Sequence, residues 1–225
     1  MAVKPVAKVS VLVGTDQDGA NPNVAAAMLD ACRAPSLAVG GPQMRELGVT
    51  SSIYGEGRTS IALALAVLQS QDYGRTAVLV EMSVEAPALA QRLHLAPAPG
   101  LCEWAYDEVS LDQVMQPLQE GVSVVVAGNP GQTPARAISE SLRRGLIGQL
   151  GKRFDSVIID LPPVSGIPWG AALASEFANL LFVVRSGVTP ASTVRKAYAA
   201  IPTPPKVLLN STSSSLPGWL RRLIG

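Results

Sequence analysis

One junction constrains the fold of this chain more than any other. Val49-Thr50-Ser51-Ser52-Ile53-Tyr54-Gly55-Glu56-Gly57-Arg58-Thr59-Ser60 leads directly into the apolar helical run Ile61-Ala62-Leu63-Ala64-Leu65-Ala66-Val67-Leu68. A glycine-rich turn between an apolar strand and a helix aims backbone N–H groups outward and suits a polyphosphate. The usual pattern is G-x-x-x-x-G-K followed by Ser or Thr. Gly57 and Thr59 fit it, while Ser52 stands at the first glycine and Arg58 at the lysine. Ser52, Gly55, Glu56, Gly57, Arg58, Thr59 and Ser60 are therefore the candidate nucleotide-binding residues.

Around this junction, apolar runs of strand length alternate with helical segments. Val9 to Val13, Leu47 to Ser51, Ala77 to Val80, Val122 to Ala127, Val157 to Ile159, Leu180 to Val184 and Val207 to Leu209 read as buried strands. Their hydrophobicity is continuous rather than alternating, as expected of a parallel sheet covered on both faces. Thr59 to Gln71, Pro134 to Leu150, Trp169 to Phe177 and Pro190 to Ala200 read as helices. Thr133 and Thr189 each precede a proline, which predicts a hydroxyl N-cap with Pro at the first helical position. The expected fold is α/β: a doubly wound, mainly parallel sheet with helices on both faces, with ligand at the strand carboxyl ends.

A chain of 225 residues, nearly half of them apolar, suits one such domain over residues 1–225. Residues 1–45 are the least readable part. Val24 to Arg33 suggests a helix, and Gly14 to Gly19 a solvated turn lacking the further oxygen ligands of a calcium loop. Residues 211–225 form a tail in which Trp219, Leu220, Leu223 and the pair Arg221-Arg222 make a short amphipathic segment. A formal charge of +1 gives no reason to expect nucleic acid as a partner. Cys32 and Cys102 are too few for a disulfide framework, and His94 is the sole histidine, so a His/Cys metal site is not expected. No apolar run approaches the ~20 residues that span a bilayer, and the apolar start is too short for a secretory signal. A cytoplasmic location is expected.

A second chemical element lies about one hundred residues after the loop, where Val157-Ile158-Ile159 ends in Asp160-Leu161-Pro162-Pro163. A carboxylate closing a buried strand beside a phosphate loop is placed to hold Mg²⁺, directly or through water, with the Thr59 hydroxyl as its companion ligand. A third element is Val78-Leu79-Val80-Glu81-Met82-Ser83-Val84-Glu85-Ala86-Pro87. With Ser51-Ser52, Gly55-Glu56-Gly57 and Thr59, the stretch from Gly100-Leu101 to Ser110-Leu111-Asp112-Gln113-Val114, and Ala127-Gly128-Asn129-Pro130, the order of these segments resembles the bacterial tyrosine kinases of the polysaccharide co-polymerase group. These fall within the ParA/MinD-type P-loop ATPases. The likeness runs from about Leu47 to Asn210.

That resemblance implies ATP or ADP with Mg²⁺ as cofactors and Thr59 and Asp160 as metal ligands. It makes Glu81 and Asp160 candidate catalytic residues and Asn210 a residue that reads adenine. It further implies a membrane-embedded polysaccharide chain-length or export protein as partner, possible self-association, and a peripheral place at the inner face of the membrane. The chain departs from the family pattern in three places. The family's D-x-D-x-R is represented by Glu81, Ser83 and Glu85; Arg58 replaces the loop lysine; and the last tyrosine is Tyr198, where the family carries a C-terminal tyrosine cluster. Loss of a general base typically costs ~10²–10⁴ in rate, and a planar guanidinium is no equivalent of a compact ammonium. The expectation is a degenerate member with a regulatory or scaffolding role in exopolysaccharide synthesis and export. An active tyrosine autokinase is the alternative. A ParA/MinD-type positioning ATPase ranks below both, because that class uses a lysine at the position of Ile53.

Overall fold

The apolar runs become the inner strands of an eight-stranded sheet of order β1-β8-β7-β2-β6-β3-β5-β4. The structure, a computed structural model, describes residues 7–9, 26–131 and 133–210. In chain order its elements are β1 (Ala7–Val9), α1 (Ala26–Ala38), β2 (Glu46–Ser51), α2 (Arg58–Gln71), β3 (Ala77–Glu81), α3 (Leu89–Leu93), α4 (Leu101–Ala105) and α5 (Leu111–Val114). They continue with β4 (Met115–Gln119), β5 (Val122–Val125), α6 (Pro134–Arg143), α7 (Leu146–Gly151), β6 (Ser156–Asp160), α8 (Gly170–Ser175), β7 (Leu180–Arg185), α9 (Ala191–Ala199) and β8 (Lys206–Asn210). Every strand pair is parallel except β4 with β5.

Successive side chains of a strand point to opposite faces, so each continuous apolar run feeds two cores. Val78 and Val80 of β3, with Val157 and Ile159 of β6, join the core covered by α4 through α9. Leu79 and Ile158, their immediate neighbours, join the core under α1, α2 and α3. Helix α2 lies deepest, burying Ile61, Ala62, Ala64, Leu65, Ala66, Val67 and Leu68. Burial of each large side chain there contributes roughly 1.5–3 kcal/mol.

Several sequence expectations need correction. The helix expected over Pro134 to Leu150 is two helices, because Gly145 adopts φ 72° in the left-handed region between α6 and α7. Pro190 is the N-cap of α9 rather than its first residue, and Thr189 turns its hydroxyl elsewhere. Thr133 does precede Pro134 at the start of α6, but its side chain makes no capping hydrogen bond. Strand β4 was not expected: Met115-Gln116-Pro117-Leu118-Gln119 lacks an apolar run because it is a half-exposed edge, where Pro117 is tolerated. The first strand is seen at Ala7–Val9, and the rest of the run to Val13, the loop Gly14 to Gly19 and the segment around Trp219 lie outside the described residues.

Candidate functional site

Because the inner strands are parallel, their carboxyl ends gather chemistry at one end of the sheet. The register sets Asp160 beside Val49 on one side and Glu81 on the other. It also sets Arg185, ending β7, against Asn210, ending β8. Between these strand ends, residues 52–57 turn from β2 into α2. Gly55 (φ 84°) and Gly57 (φ 88°) both take the left-handed region. Gly57 is required twice over, since a Cβ there would fall 2.2 Å from Asn210 Nδ2. The first helical amide bond is Ile61 N–H to the Gly57 carbonyl, so the amides preceding it have no helical acceptor and face the loop.

The side chains on the β3 and β6 side of the loop are tightly joined. Arg58 Nε donates to Asp160 Oδ1 at 2.7 Å, and the Thr59 hydroxyl donates to Asp160 Oδ2 at 2.7 Å. Arg58 Nη2 reaches Ser83 Oγ at 3.2 Å, and the Tyr54 ring centroid lies 5.8 Å from the guanidinium carbon. Arg58 and Asp160 are 7% and 1% exposed, so this is a desolvated ion pair. Removing one partner of such a pair typically costs 3–5 kcal/mol. Thr59 and Asp160 are thus brought together as the sequence suggests, with Arg58 between them and the rest of the loop.

Glu81 sits beside them but faces away. Its Oε1 accepts from the amides of Ala88 and Leu89 at 2.5 and 3.0 Å, and its Oε2 accepts from Ala127 N–H at 3.1 Å. Burial raises its pKa, and the three amide hydrogen bonds oppose that rise. The carboxylate ties the start of α3 to the end of β5, which is a structural role. Cys32 and Cys102 are buried thiols pushed up to about 12, inert as nucleophiles.

Glu56 was also grouped with the ligand-facing residues, yet its carboxylate fastens the loop. It accepts from Ile53 N–H at 2.9 Å within the loop, from Arg185 N–H at 3.1 Å, and from the Thr189 hydroxyl at 2.6 Å. Asn210 Nδ2 donates to the Glu56 carbonyl at 3.0 Å. Thr189 is a residue that sequence reasoning missed in this role, its position before Pro190 having suggested a helix cap. Ser60 lies half-buried on the flank of α2, 3.3 Å from Arg92 Nη1. Trp104 and Tyr106 pack rather than line the loop: Trp104 is buried under the Arg144 guanidinium at 4.6 Å, and Tyr106 rests against the same core.

Three buried polar atoms lack a partner among the described residues: Ser52 Oγ, Arg185 Nε and Asn210 Oδ1. All three belong to the loop or to the strand ends beside it. An unpaired buried donor or acceptor costs about 1–3 kcal/mol, so their concentration here fits a site built to receive a polar ligand.

No family model matches the chain. Tyrosine-protein kinase YwqD of Bacillus subtilis is 26% identical over 170 residues, 75% of this chain and 71% of that protein. The succinoglycan biosynthesis transport protein ExoP of Rhizobium meliloti is 27% identical over 160 residues, 69% of this chain but only 20% of ExoP. Among solved structures, the kinase domain of Escherichia coli tyrosine kinase ETK has a TM-score of 0.77 at 19% identity, covering 95% of this chain and 93% of that one. The chain is similar to bacterial tyrosine kinases both in sequence and in fold. Its fold is that of the ParA/MinD-type P-loop ATPases: the Pyrococcus furiosus cell division ATPase MinD matches with a TM-score of 0.58 at 20% identity over 74% of this chain and 70% of that one. Cobyrinic acid a,c-diamide synthase of Mycobacterium smegmatis, with a bound ATP analogue and magnesium, matches with a TM-score of 0.57 at 18% identity over 80% of both chains.

Proposed function

We propose that this protein is a degenerate tyrosine-kinase-like P-loop protein with a regulatory or scaffolding role in exopolysaccharide synthesis and export. The observation that carries this reading is the state of the acidic positions around the loop. Ser83 offers a hydroxyl where its relatives' pattern has a carboxylate, Glu81 is engaged by three amides, and Asp160 is paired with Arg58. None of the three is a free base within reach of an incoming hydroxyl. Phosphoryl transfer depends chiefly on positioning and on charge compensation by metal and cations, and this arrangement withholds the acid side of that chemistry.

Nucleotide binding is a separate matter, and the residues fit it. ATP or ADP would lie along the loop amides of residues 55–60, its phosphates at the N-terminus of α2. Asn210 Oδ1, a buried acceptor, would take a hydrogen bond from an adenine amino group, and Arg185 Nε would supply a donor. Magnesium fits less well. Thr59 and Asp160 are the residues that would hold it, and both are already joined to each other and to a guanidinium. A membrane-embedded polysaccharide chain-length or export protein is the partner consistent with the relationship to ExoP. It would place the chain peripherally at the inner face of the membrane, where self-association would be its second interaction. Among the described residues no helix is long and apolar enough to cross a membrane.

A working autokinase is the second reading, favoured by the 2.7 Å contact between Thr59 and Asp160 that a functional loop would need. Immunodetection of phosphotyrosine on the purified protein incubated with Mg-ATP separates the two. Little or no signal is expected. Robust phosphotyrosine that disappears in Thr59→Ala, or complete loss of polysaccharide in a Thr59→Ala strain with normal protein levels, would overturn the scaffolding reading.

A further inference from the structure

Of the ion pairs among the described residues, only Arg58–Asp160 has both partners buried. The cation that follows Gly57 is folded back onto the strand β6 carboxylate instead of projecting into the turn, and it is held there by three separate contacts. Nε is on Asp160, Nη2 is on Ser83, and the Tyr54 ring flanks the planar group. The second carboxylate oxygen is taken by Thr59.

Magnesium in nucleotide sites is typically held by one or two carboxylates together with the substrate's phosphates, in a near-octahedral shell. Asp160 is the carboxylate positioned for that task here. Ser83 carries no charge, and Glu81 is turned toward the amides of Ala88, Leu89 and Ala127. A divalent ion would have to share one negative charge with a guanidinium already bonded to it, in a pocket shielded from water, where like charges repel far more strongly than in bulk solvent. The guanidinium gives no relief by deprotonation, since arginine stays charged in proteins. Lysine at this position would behave differently. Its ammonium is compact, sits on a flexible stem and can leave a carboxylate for a phosphate without breaking a planar, multidentate arrangement.

We propose that Arg58 is the resident cation of this loop, and that the protein binds nucleoside polyphosphates without help from Mg²⁺, which is kept off Asp160. This rests on the reading of residues 52–60 as a phosphate loop. It turns the exchange of lysine for arginine from a simple defect into a change of recognition, from a site that requires the magnesium complex of a nucleotide to one that is indifferent to the ion.

Calorimetric titration of the full chain with ATP and with ADP, once in EDTA and once in saturating MgCl₂, tests this directly. The expected result is affinities that agree within about threefold between the two buffers. Arg58→Lys, its folding verified by thermal melt, is expected to bind at least tenfold more tightly with Mg²⁺ than in EDTA. Titration with Mn²⁺, followed by its electron paramagnetic resonance signal, is expected to show no binding to the wild-type protein alone and, with ATP present, none beyond what ATP alone binds. Wild-type affinity at least tenfold higher with Mg²⁺, or Mn²⁺ bound beyond what ATP alone binds, overturns the proposal and leaves the phosphate-loop reading intact. An Arg58→Lys variant as indifferent to Mg²⁺ as the wild type removes the assignment to Arg58. Absence of nucleotide binding in both buffers overturns the phosphate-loop reading and the proposal together.

Discussion

The two flanks of the loop are built on opposite principles. On the β3 and β6 side, Arg58, Thr59, Ser83, Glu81 and Asp160 satisfy one another or nearby amides. On the β7 and β8 side, Arg185 Nε and Asn210 Oδ1 are buried without a partner among the described residues. The first flank holds the acidic groups on which metal and proton transfer would depend; the second faces the part of the site assigned to base and sugar. On the function proposed above, a fold that keeps its recognition side open and its reaction side closed would be organised for holding a ligand rather than transforming it. The difference also shows why a motif match is a poor guide to activity: both flanks carry residues of suitable type, and only their partners distinguish them.

The sharpest way to break this contrast is to open the closed side. Asp160→Ala would strand a buried guanidinium, and stability should fall by about 3–5 kcal/mol in urea denaturation. The double substitution Arg58→Met with Asp160→Ala should recover most of that loss, since no uncompensated charge then remains. A double variant as unstable as the single one would mean that the pair is not the source of the cost.

A smaller effect is expected at Glu81. In Glu81→Gln the side-chain carbonyl can still accept from Ala88 and Leu89, but an amide group meets the Ala127 N–H, at a cost of about 1–3 kcal/mol. The wild-type protein should also show a pH signature. Burial holds the folded Glu81 pKa above its ordinary value of 4.5, so the native state retains a proton that the unfolded chain has released. The contribution of this group to stability is therefore greatest below that ordinary value and is lost as pH rises through the window up to the folded pKa. Glu81→Gln should lose this component of the slope in denaturation curves taken across the acidic range. An unchanged slope would assign it to other groups.

The least effect on folding should come from the open side. The Arg185 side chain has one long contact, 3.4 Å to the Gly55 carbonyl, while its backbone amide makes the bond to Glu56. Arg185→Ala should change stability by no more than about 0.5 kcal/mol yet weaken nucleotide binding about tenfold, as loss of one charged hydrogen bond implies. A large loss of stability with unchanged affinity would reverse the roles assigned to the two flanks.

Much of this was legible in the order of residues, for physical reasons that differ by element. The inner strands declared themselves because a strand covered on both faces must be apolar throughout, as Ala77-Val78-Leu79-Val80 is. Strand β4 did not, because an edge needs no such run. The short helices α3, α4 and α5 span too few residues for a helical period to show. Gly145, which divides α6 from α7, was visible as a residue but not as a left-handed one. At the site, the glycines, Thr59 and Asp160 were recognisable by type and spacing. The direction taken by Glu56 was not: its partners Arg185 and Thr189 lie 129 and 133 residues further along. Nor was the pairing of Arg58 with Asp160, since one residue's number gives no hint that its neighbour in space is 102 positions away.

Glu56 has a mechanical consequence. One carboxylate grips an amide of its own loop, the amide that ends β7 and the hydroxyl that precedes α9. The loop and the approach to α9 are thereby coupled like two ends of a lever with Glu56 as its pivot. Any ligand that draws the loop toward itself also pulls on Thr189 and, through it, on the outer surface where α9 begins. Where a ligand shifts the loop, its occupancy and the setting of that surface would be reciprocal quantities, and a partner resting on α9 would register the ligand without touching it.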